Sequence, residues 1–151
     1  SPDGDVYQAG TLSGNPVVMS AGIAQLKECL KKNFYQKLEK KTKSFIANCS
    51  AQSDGVRNSS DQLPTANCKI FSIGSIFWIA FTDKEKIQSA EEIDVNSMQY
   101  FRKLYHELLD RGVYLGPSGY EVGFVSEAHS EKDLRRAGKI ISHCLKKDLT
   151  A

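Results

Sequence analysis

The sequence has few of the residues that would mark a metal site, a disulfide framework or a membrane span. Its four cysteines and three histidines are scattered along 151 residues, and no two cysteines form a CxxC pair. Structural zinc sites usually show paired ligands at short spacing, so this spacing argues against a metal centre. No apolar run approaches the roughly 20 residues that a membrane helix needs. We therefore expect no metal, no membrane partner and, as in a cytoplasmic protein, reduced thiols.

The chain also has little excess of positive over negative charge. Twenty basic residues face eighteen acidic ones, and the net charge is +2. This excess is too small to indicate binding to nucleic acid or to an anionic surface. A lysine-rich run over residues 27–43 is best explained as the solvated face of a helix. The polar first residues, 1–14, do not resemble a signal peptide, which agrees with the cytoplasmic expectation.

What the sequence does contain first is a helix signal. Asn15 can cap a helix, and Pro16 fits its first turn. An apolar stripe follows at spacings of three or four, formed by Ile23, Leu26, Leu30, Phe34 and Leu38. This pattern predicts one long helix over residues 16–47, with a glycine, Gly22, inside it.

The middle of the chain predicts a loop and a hairpin. Residues 48–66 are polar and rich in turn formers. The next stretch, "CKIFSIGSIFWIAFTD", is dense in β-branched and aromatic residues. We interpret it as two strands, about 67–73 and 75–82, joined at Gly74 by a tight turn or a bulge.

The last third predicts helix, short strands and helix. One helix begins at Asn96 or Ser97 and ends at Gly112, which acts as a C-cap. "VYL" and "VGFVSEA" are short strands, and Ser130 with its downstream Asp133 resembles a capping box. No βαβ repeat is evident. The order therefore indicates an α+β fold with an antiparallel or mixed sheet and helices packed on one side.

Two motifs at opposite ends of the chain carry a family resemblance. "YQAGTLSGNPVVMSAG" looks like the segment after the active-site lysine of the glutamate-1-semialdehyde aminomutases. "LLDRGVYLGPSGYEVGFVSEAHSEKDL" resembles the C-terminal signature of that family. These are pyridoxal-phosphate enzymes of the class-III aminotransferase group, with the aspartate-aminotransferase fold (fold type I).

The resemblance implies a domain organisation. Residues 1–15 would be a cofactor-phosphate loop left over from a large domain. Residues 16–47 would be the long connecting helix, and residues 48–151 the small C-terminal domain. The whole enzyme would be a homodimer whose sites are completed across subunits.

The resemblance also implies an activity. Such enzymes convert glutamate 1-semialdehyde to 5-aminolevulinate, the precursor of haem and other tetrapyrroles, by moving an amino group within one molecule. Pyridoxal phosphate serves as the electron sink. The family's Schiff-base lysine has no matching position in this chain. We therefore expect no catalytic residue here, no cofactor bound to this chain by itself, and no activity without the missing part.

Three residues near the start match family positions at the cofactor. Gly10 gives room for close approach, and Thr11 offers a hydroxyl and an N–H to the cofactor phosphate of the neighbouring subunit. Tyr7 would line the substrate entrance. From the local sequence alone, turn formation is the better explanation of Thr11, and the match of the whole motif favours the phosphate role; simple packing is the alternative for Tyr7.

Glu121 matches a family glutamate that faces the active site. A carboxylate there can hold an ammonium group by a charge-assisted hydrogen bond. The alternative is a surface glutamate on a turn. We interpret Ser118 as turn chemistry, and we expect His129 to lie just before a helix and make a backbone hydrogen bond. Two rival functions stay open, namely a related transaminase with an external amine acceptor and a free-standing, non-catalytic interaction domain.

Overall fold

The computed structural model describes residues 4–5, 10–50 and 67–146. The chain forms two compact units, residues 1–34 and residues 35–151. The helices are α1 (Pro16–Cys29), α2 (Phe34–Ser50), α3 (Met98–Asp110) and α4 (Glu131–Leu145), and the strands are β1 (Cys68–Ile73), β2 (Ile76–Phe81) and β3 (Gly123–Phe124). Two short 3-10 turns, Ala90–Glu92 and Val95–Ser97, precede α3.

The start of α1 is as the sequence predicts. The Asn15 Oδ1 atom accepts hydrogen bonds from the amides of Val17 and Val18, at 3.0 and 3.2 Å. Pro16, which has no N–H to satisfy, occupies the first turn. α1 buries none of its residues.

The single helix predicted over residues 16–47 is wrong, because the structure has two helices there. α1 ends at Cys29 and α2 begins at Phe34. Between them Asn33 has a φ of 63°, in the left-handed region. A right-handed helix cannot continue through that conformation, and asparagine adopts it more readily than most residues. Because the apolar spacing runs across the break, periodicity alone does not reveal it.

The sheet is antiparallel throughout, in the order β1-β2-β3. Ile73 of β1 lies opposite Ile76 of β2, so a two-residue turn joins the strands as predicted. Its first residue, Gly74, has a φ of 57°, which glycine adopts without a steric penalty. On the other side of β2, Gly123 of β3 lies opposite Phe77. The result is a small α+β unit built around one hairpin.

The core of the second unit forms between this sheet and its helices. The rings of Phe45 on α2 and Phe77 on β2 lie edge to face, with centroids 5.2 Å apart. α3 packs against both β2 and α4. α4 approaches α2 closely at Gly138. The largest fully buried side chains are Leu104, Leu108, Ile141, Thr42 and Cys144.

The segment after α3 is not the strand that "VYL" predicts. The Val113 amide donates to the Leu108 carbonyl at 2.9 Å, and the Gly112 amide donates to the Leu109 carbonyl at 3.0 Å. This pair of bonds is a Schellman motif, completed by Gly112 with a φ of 76°. Because the helix end takes the first amide of the segment, the chain turns away without joining the sheet. Of the later "VGFVSEA" stretch, only Gly123–Phe124 pairs with β2.

Candidate functional site

Glu121 lies at the end of a turn between α3 and β3, here called the Glu121 turn (residues 116–121). The Glu121 amide donates to the Ser118 carbonyl at 3.0 Å. The Tyr120 amide donates to the Ser118 hydroxyl at 3.3 Å. Ser118 therefore holds the turn together, as the sequence predicts, and Glu121 is exposed.

The Glu121 carboxylate has the properties of a binding group. Among the residues that the structure describes, no lysine, arginine or histidine forms an ion pair with it. The side chain folds over Gly116, where a Cβ atom would overlap the carboxylate and lie 2.8 Å from the Glu121 Cδ atom. Within the described part of the chain, the carboxylate is thus an exposed acceptor without an ion-pair partner, which an ammonium group can approach.

The backbone of the turn is anchored to β2 and α3. The indole N–H of Trp78 donates to the Gly119 carbonyl at 2.7 Å. Gly119 is buried, and a Cβ atom there would lie 2.7 Å from the Met98 Sδ atom and 3.1 Å from the Phe101 Cβ atom. The turn therefore rests directly on the strand and the helix.

The loop that contains the predicted phosphate ligands belongs to the first unit. The Ser13 amide donates to the Gly10 carbonyl at 2.9 Å, and a Cβ atom on Gly10 would overlap the Ser13 hydroxyl. The obstacle is the end of a short side chain that can rotate away, so the turn favours a glycine at position 10 without requiring one. Thr11 is exposed, and no other described residue forms a hydrogen bond with its hydroxyl. Asn15 already satisfies the first amides of α1, and the exposed Thr11 offers a hydroxyl at this loop.

The predicted site residues fall in different parts of the chain. Gly10 and Thr11 lie in the first unit, and Glu121 lies in the second. Tyr7 lies outside the described residues. The roles of Gly10 and Thr11 in phosphate binding and of Tyr7 at the substrate entrance stay predictions.

His129 is a structural residue, as expected. It lies just before α4, and its Nδ1 atom accepts a hydrogen bond from the Ser126 amide at 3.0 Å. The Lys41 ammonium of α2 donates to the carbonyls of Glu127 and His129 at 3.0 and 3.2 Å. These bonds tie the segment before α4 to α2.

The four cysteines form no disulfide, and Cys49 and Cys144 are buried. Burial raises the pKa of Cys49 to about 12, and the neighbouring Cys68 thiol contributes to that rise. Burial likewise raises the pKa of Cys68 to about 12. Because the thiolate is the nucleophile and the metal ligand, neither residue is a reactive cysteine. Across the described residues, no group of three or more metal-ligating side chains could hold a metal ion.

One cavity lies between β2, α3 and the Glu121 turn. Trp78, Phe101 and Gly119 are among its lining residues, and its volume is about 10 Å³. Such a space holds at most about one water molecule. The cavity is therefore a packing gap, and the chemistry of this region rests on the exposed carboxylate.

None of the helices in the part of the chain that the structure describes has the length and the apolar character that a membrane span needs.

Sequence reasoning missed Trp78, Gly116 and Gly119 as part of the site. The two glycines sit in "GPSG", which indicates a turn but not the crowding around it. Trp78 is the only tryptophan in the sequence, and it lies in a strand where an aromatic residue is ordinary. That Trp78 is the single tryptophan of the sequence was the one signal that could have pointed to it.

Comparison with known proteins finds a solved structure with a similar fold. No protein-family model matches the sequence. Among solved structures, the chain is similar to a transaminase with PLP bound, with a TM-score of 0.60 and 20% identity over 93% of this chain. The chain spans 30% of the length of that transaminase. At this identity the likeness establishes the fold, so the described α+β structure has the fold of part of a PLP-bound transaminase.

Proposed function

We propose that this chain is the C-terminal part of a pyridoxal-phosphate enzyme that converts glutamate 1-semialdehyde to 5-aminolevulinate, the precursor of haem and other tetrapyrroles. The observation that carries the proposal is the exposed carboxylate of Glu121 within "GPSGYE", which has no ion-pair partner among the residues that the structure describes. The transaminase fold supports the broader assignment to a PLP-dependent aminotransferase. The match of both end motifs supports the narrower assignment to an aminomutase.

The charge of Glu121 suits the substrate of this reaction. An intramolecular transfer passes through a molecule that carries two amino groups, and a carboxylate holds an ammonium group by a charge-assisted hydrogen bond. Related transaminases place an arginine near this position to grip a substrate carboxylate. A glutamate here therefore favours a diamine over a dicarboxylate.

The loop of the first unit would hold the cofactor phosphate. Gly10 leaves the space beside the Ser13 hydroxyl open, and the exposed Thr11 offers a hydroxyl and an N–H, which are the donors that a phosphate needs. In the proposed homodimer, this loop completes the site of the neighbouring subunit, and Tyr7 lines the substrate entrance. When bound, pyridoxal phosphate supplies the electron sink for proton removal at carbon.

This chain would not catalyse the reaction by itself. None of its lysines has the glycine-rich context that surrounds the cofactor-binding lysine of the resembled family. Purified chain treated with pyridoxal phosphate and borohydride should therefore show no stoichiometric adduct on a single lysine. Such an adduct in the mass spectrum would contradict the proposal.

The enzyme translated from the complete reading frame provides the functional test. Supplied with pyridoxamine phosphate and glutamate 1-semialdehyde, it should release 5-aminolevulinate without a second amine donor. Glu121→Gln should lower kcat/KM by about tenfold to a hundredfold, the range expected for a lost hydrogen bond to a charged group. Glu131→Gln, on the exposed first turn of α4, is the matched control and should leave the rate unchanged.

A transaminase with an external amine acceptor is the second candidate. The structural likeness to a PLP-bound transaminase favours it. It predicts that product forms only when a separate amine donor and a keto acid are present. In that case, Glu121→Gln should leave the binding of a diamine intermediate to the complete enzyme unchanged.

A further inference from the structure

The Glu121 turn is fixed from the strand side by one side chain. Trp78 lies on β2, the central strand of the sheet, and its ring stacks on Phe71 with centroids 5.8 Å apart. Its indole N–H reaches the Gly119 carbonyl at 2.7 Å. Because the Trp78 ring is held by Phe71, its hydrogen bond restricts the Gly119 carbonyl more than a bond from a flexible side chain would.

The same residue of the turn is fixed from the helix side. Because Gly119 has no side chain, its backbone lies against Met98 and Phe101 at the start of α3. The Glu121 amide, two residues further on, is bonded to the Ser118 carbonyl. The backbone at Glu121 is therefore tied to a point held between a strand and a helix.

The side chain of Glu121 has one further constraint. Its carboxylate occupies the space above Gly116 that any side chain at that position would fill. The carboxylate is the far end of a flexible side chain and can move aside, and the Glu121 Cβ atom, 3.0 Å from an added Cβ atom, need give by only a few tenths of an ångström. A methyl group at position 116 would thus shift the carboxylate while leaving the core intact.

We propose that Trp78 is a positioning residue for the Glu121 carboxylate, and that Gly116 provides the space in which the carboxylate sits. The contacts described above support the positioning of the carboxylate by Trp78. The binding of a substrate ammonium group by that carboxylate rests on the proposed function.

The first experiment uses the chain itself and measures amide hydrogen exchange by NMR. Trp78→Phe keeps an aromatic ring and removes the N–H donor. Exchange at the Glu121 amide should accelerate by up to about tenfold, the upper end of what one hydrogen bond contributes. Phe71→Leu is the matched control, because it removes the ring stacked on Trp78 but keeps the bond to Gly119, and it should give a smaller change at that amide.

The second experiment uses the complete enzyme and a double-mutant cycle on KM and kcat. Trp78→Phe and Gly116→Ala should each weaken substrate use, since each displaces the carboxylate. In a Glu121→Gln background the same two changes should have little further effect, because the group they position has lost its charge. A merely structural role would instead give additive losses.

The outcomes of the two experiments distinguish failure of the positioning inference from failure of the proposed function. Unchanged exchange at the Glu121 amide in Trp78→Phe overturns the inference, whatever the enzyme does. Additive losses in the cycle overturn it as well. An enzyme that neither makes 5-aminolevulinate nor transfers an amino group refutes the proposed function, and the exchange result then decides the positioning of Glu121 by Trp78.

Discussion

Glycine at position 138 sets how closely two helices of the second unit approach. A Cβ atom there would lie 2.8 Å from the Cβ atom of Asn48 and 3.4 Å from the Phe45 carbonyl oxygen. The obstacle is partly backbone, which cannot move aside as the end of a side chain can. Gly22 in α1 is the opposite case, since an added Cβ atom would meet nothing within 4 Å.

Gly138→Ala should therefore destabilise the chain by about 1–3 kcal/mol, the usual penalty for overpacking a core. Denaturant unfolding followed by far-UV circular dichroism measures the change. Gly22→Ala is the matched control and should stabilise α1 by up to about 1 kcal/mol. Equal effects of the two substitutions would contradict the close packing at Gly138.

The buried thiols make stability depend on alkaline pH. The pKa of both Cys49 and Cys68 is raised from 9.0 to about 12 by burial. Above pH 9 the unfolded chain loses these protons while the folded chain keeps them, so the unfolded state binds fewer protons. The stability that is fully present below pH 9 should be lost progressively as the pH rises towards 12.

The measurement is the free energy of unfolding across that alkaline range, under reducing conditions. Cys49→Ala is the control, because it removes one of the two titrating thiols and should flatten the slope. A wild-type slope that equals the slope of the variant would show that burial of the Cys49 thiol does not shift its titration.

At the scale of single elements, side-chain caps decide where helices start. The Ser130 hydroxyl accepts a hydrogen bond from the Asp133 amide at 3.1 Å and donates to the Asp133 carboxylate at 2.6 Å. The sequence signal for this cap is local, as is that for Asn15, and both are confirmed. The break at Asn33 has only a weak local signal, because asparagine occurs in helices and in turns.

Ser130→Ala should lower the free energy of unfolding by about 1 kcal/mol through loss of the N-cap. Ser130→Thr keeps a hydroxyl that can accept the same amide and donate to the Asp133 carboxylate, and it should retain most of the stability. If Ser130→Ala and Ser130→Thr unfold at the same denaturant concentration, the hydroxyl does not act as a cap.

At the scale of the whole molecule, the exposed apolar surface of α1 has a consequence for solution behaviour. Val17, Met19, Ile23 and Leu26 are each at least half exposed. Apolar patches of this kind usually mark surfaces that are covered by another partner or that associate. We therefore expect the isolated chain to self-associate as its concentration rises.

Sedimentation velocity over a concentration series tests this expectation. Ile23→Lys combined with Leu26→Lys should shift the chain to a monomer, because charge would have to be buried on association. Gln25→Lys, on the same exposed helix, is the matched control and should not. A monodisperse wild-type monomer at high concentration would contradict the expectation.

The sequence predicts the fold class well and the site only in part. The antiparallel hairpin, the last two helices and their caps depend on local patterns, which the sequence displays. The crowding at Gly116 and Gly119 and the bond from Trp78 depend on residues up to 41 positions apart meeting in space. No local pattern encodes such a meeting, so the support of Glu121 became visible only in three dimensions.

The coding sequence upstream of Ser1 tests most directly the proposal that this chain is the C-terminal part of a longer PLP-dependent enzyme. We expect an open reading frame that continues upstream and contains a lysine in a glycine-rich stretch before "YQAGT". An in-frame stop codon followed by a start codon next to Ser1 would refute the proposal. The chain would then be a free-standing domain, and Glu121 would have no cofactor-bearing partner domain to complete its site.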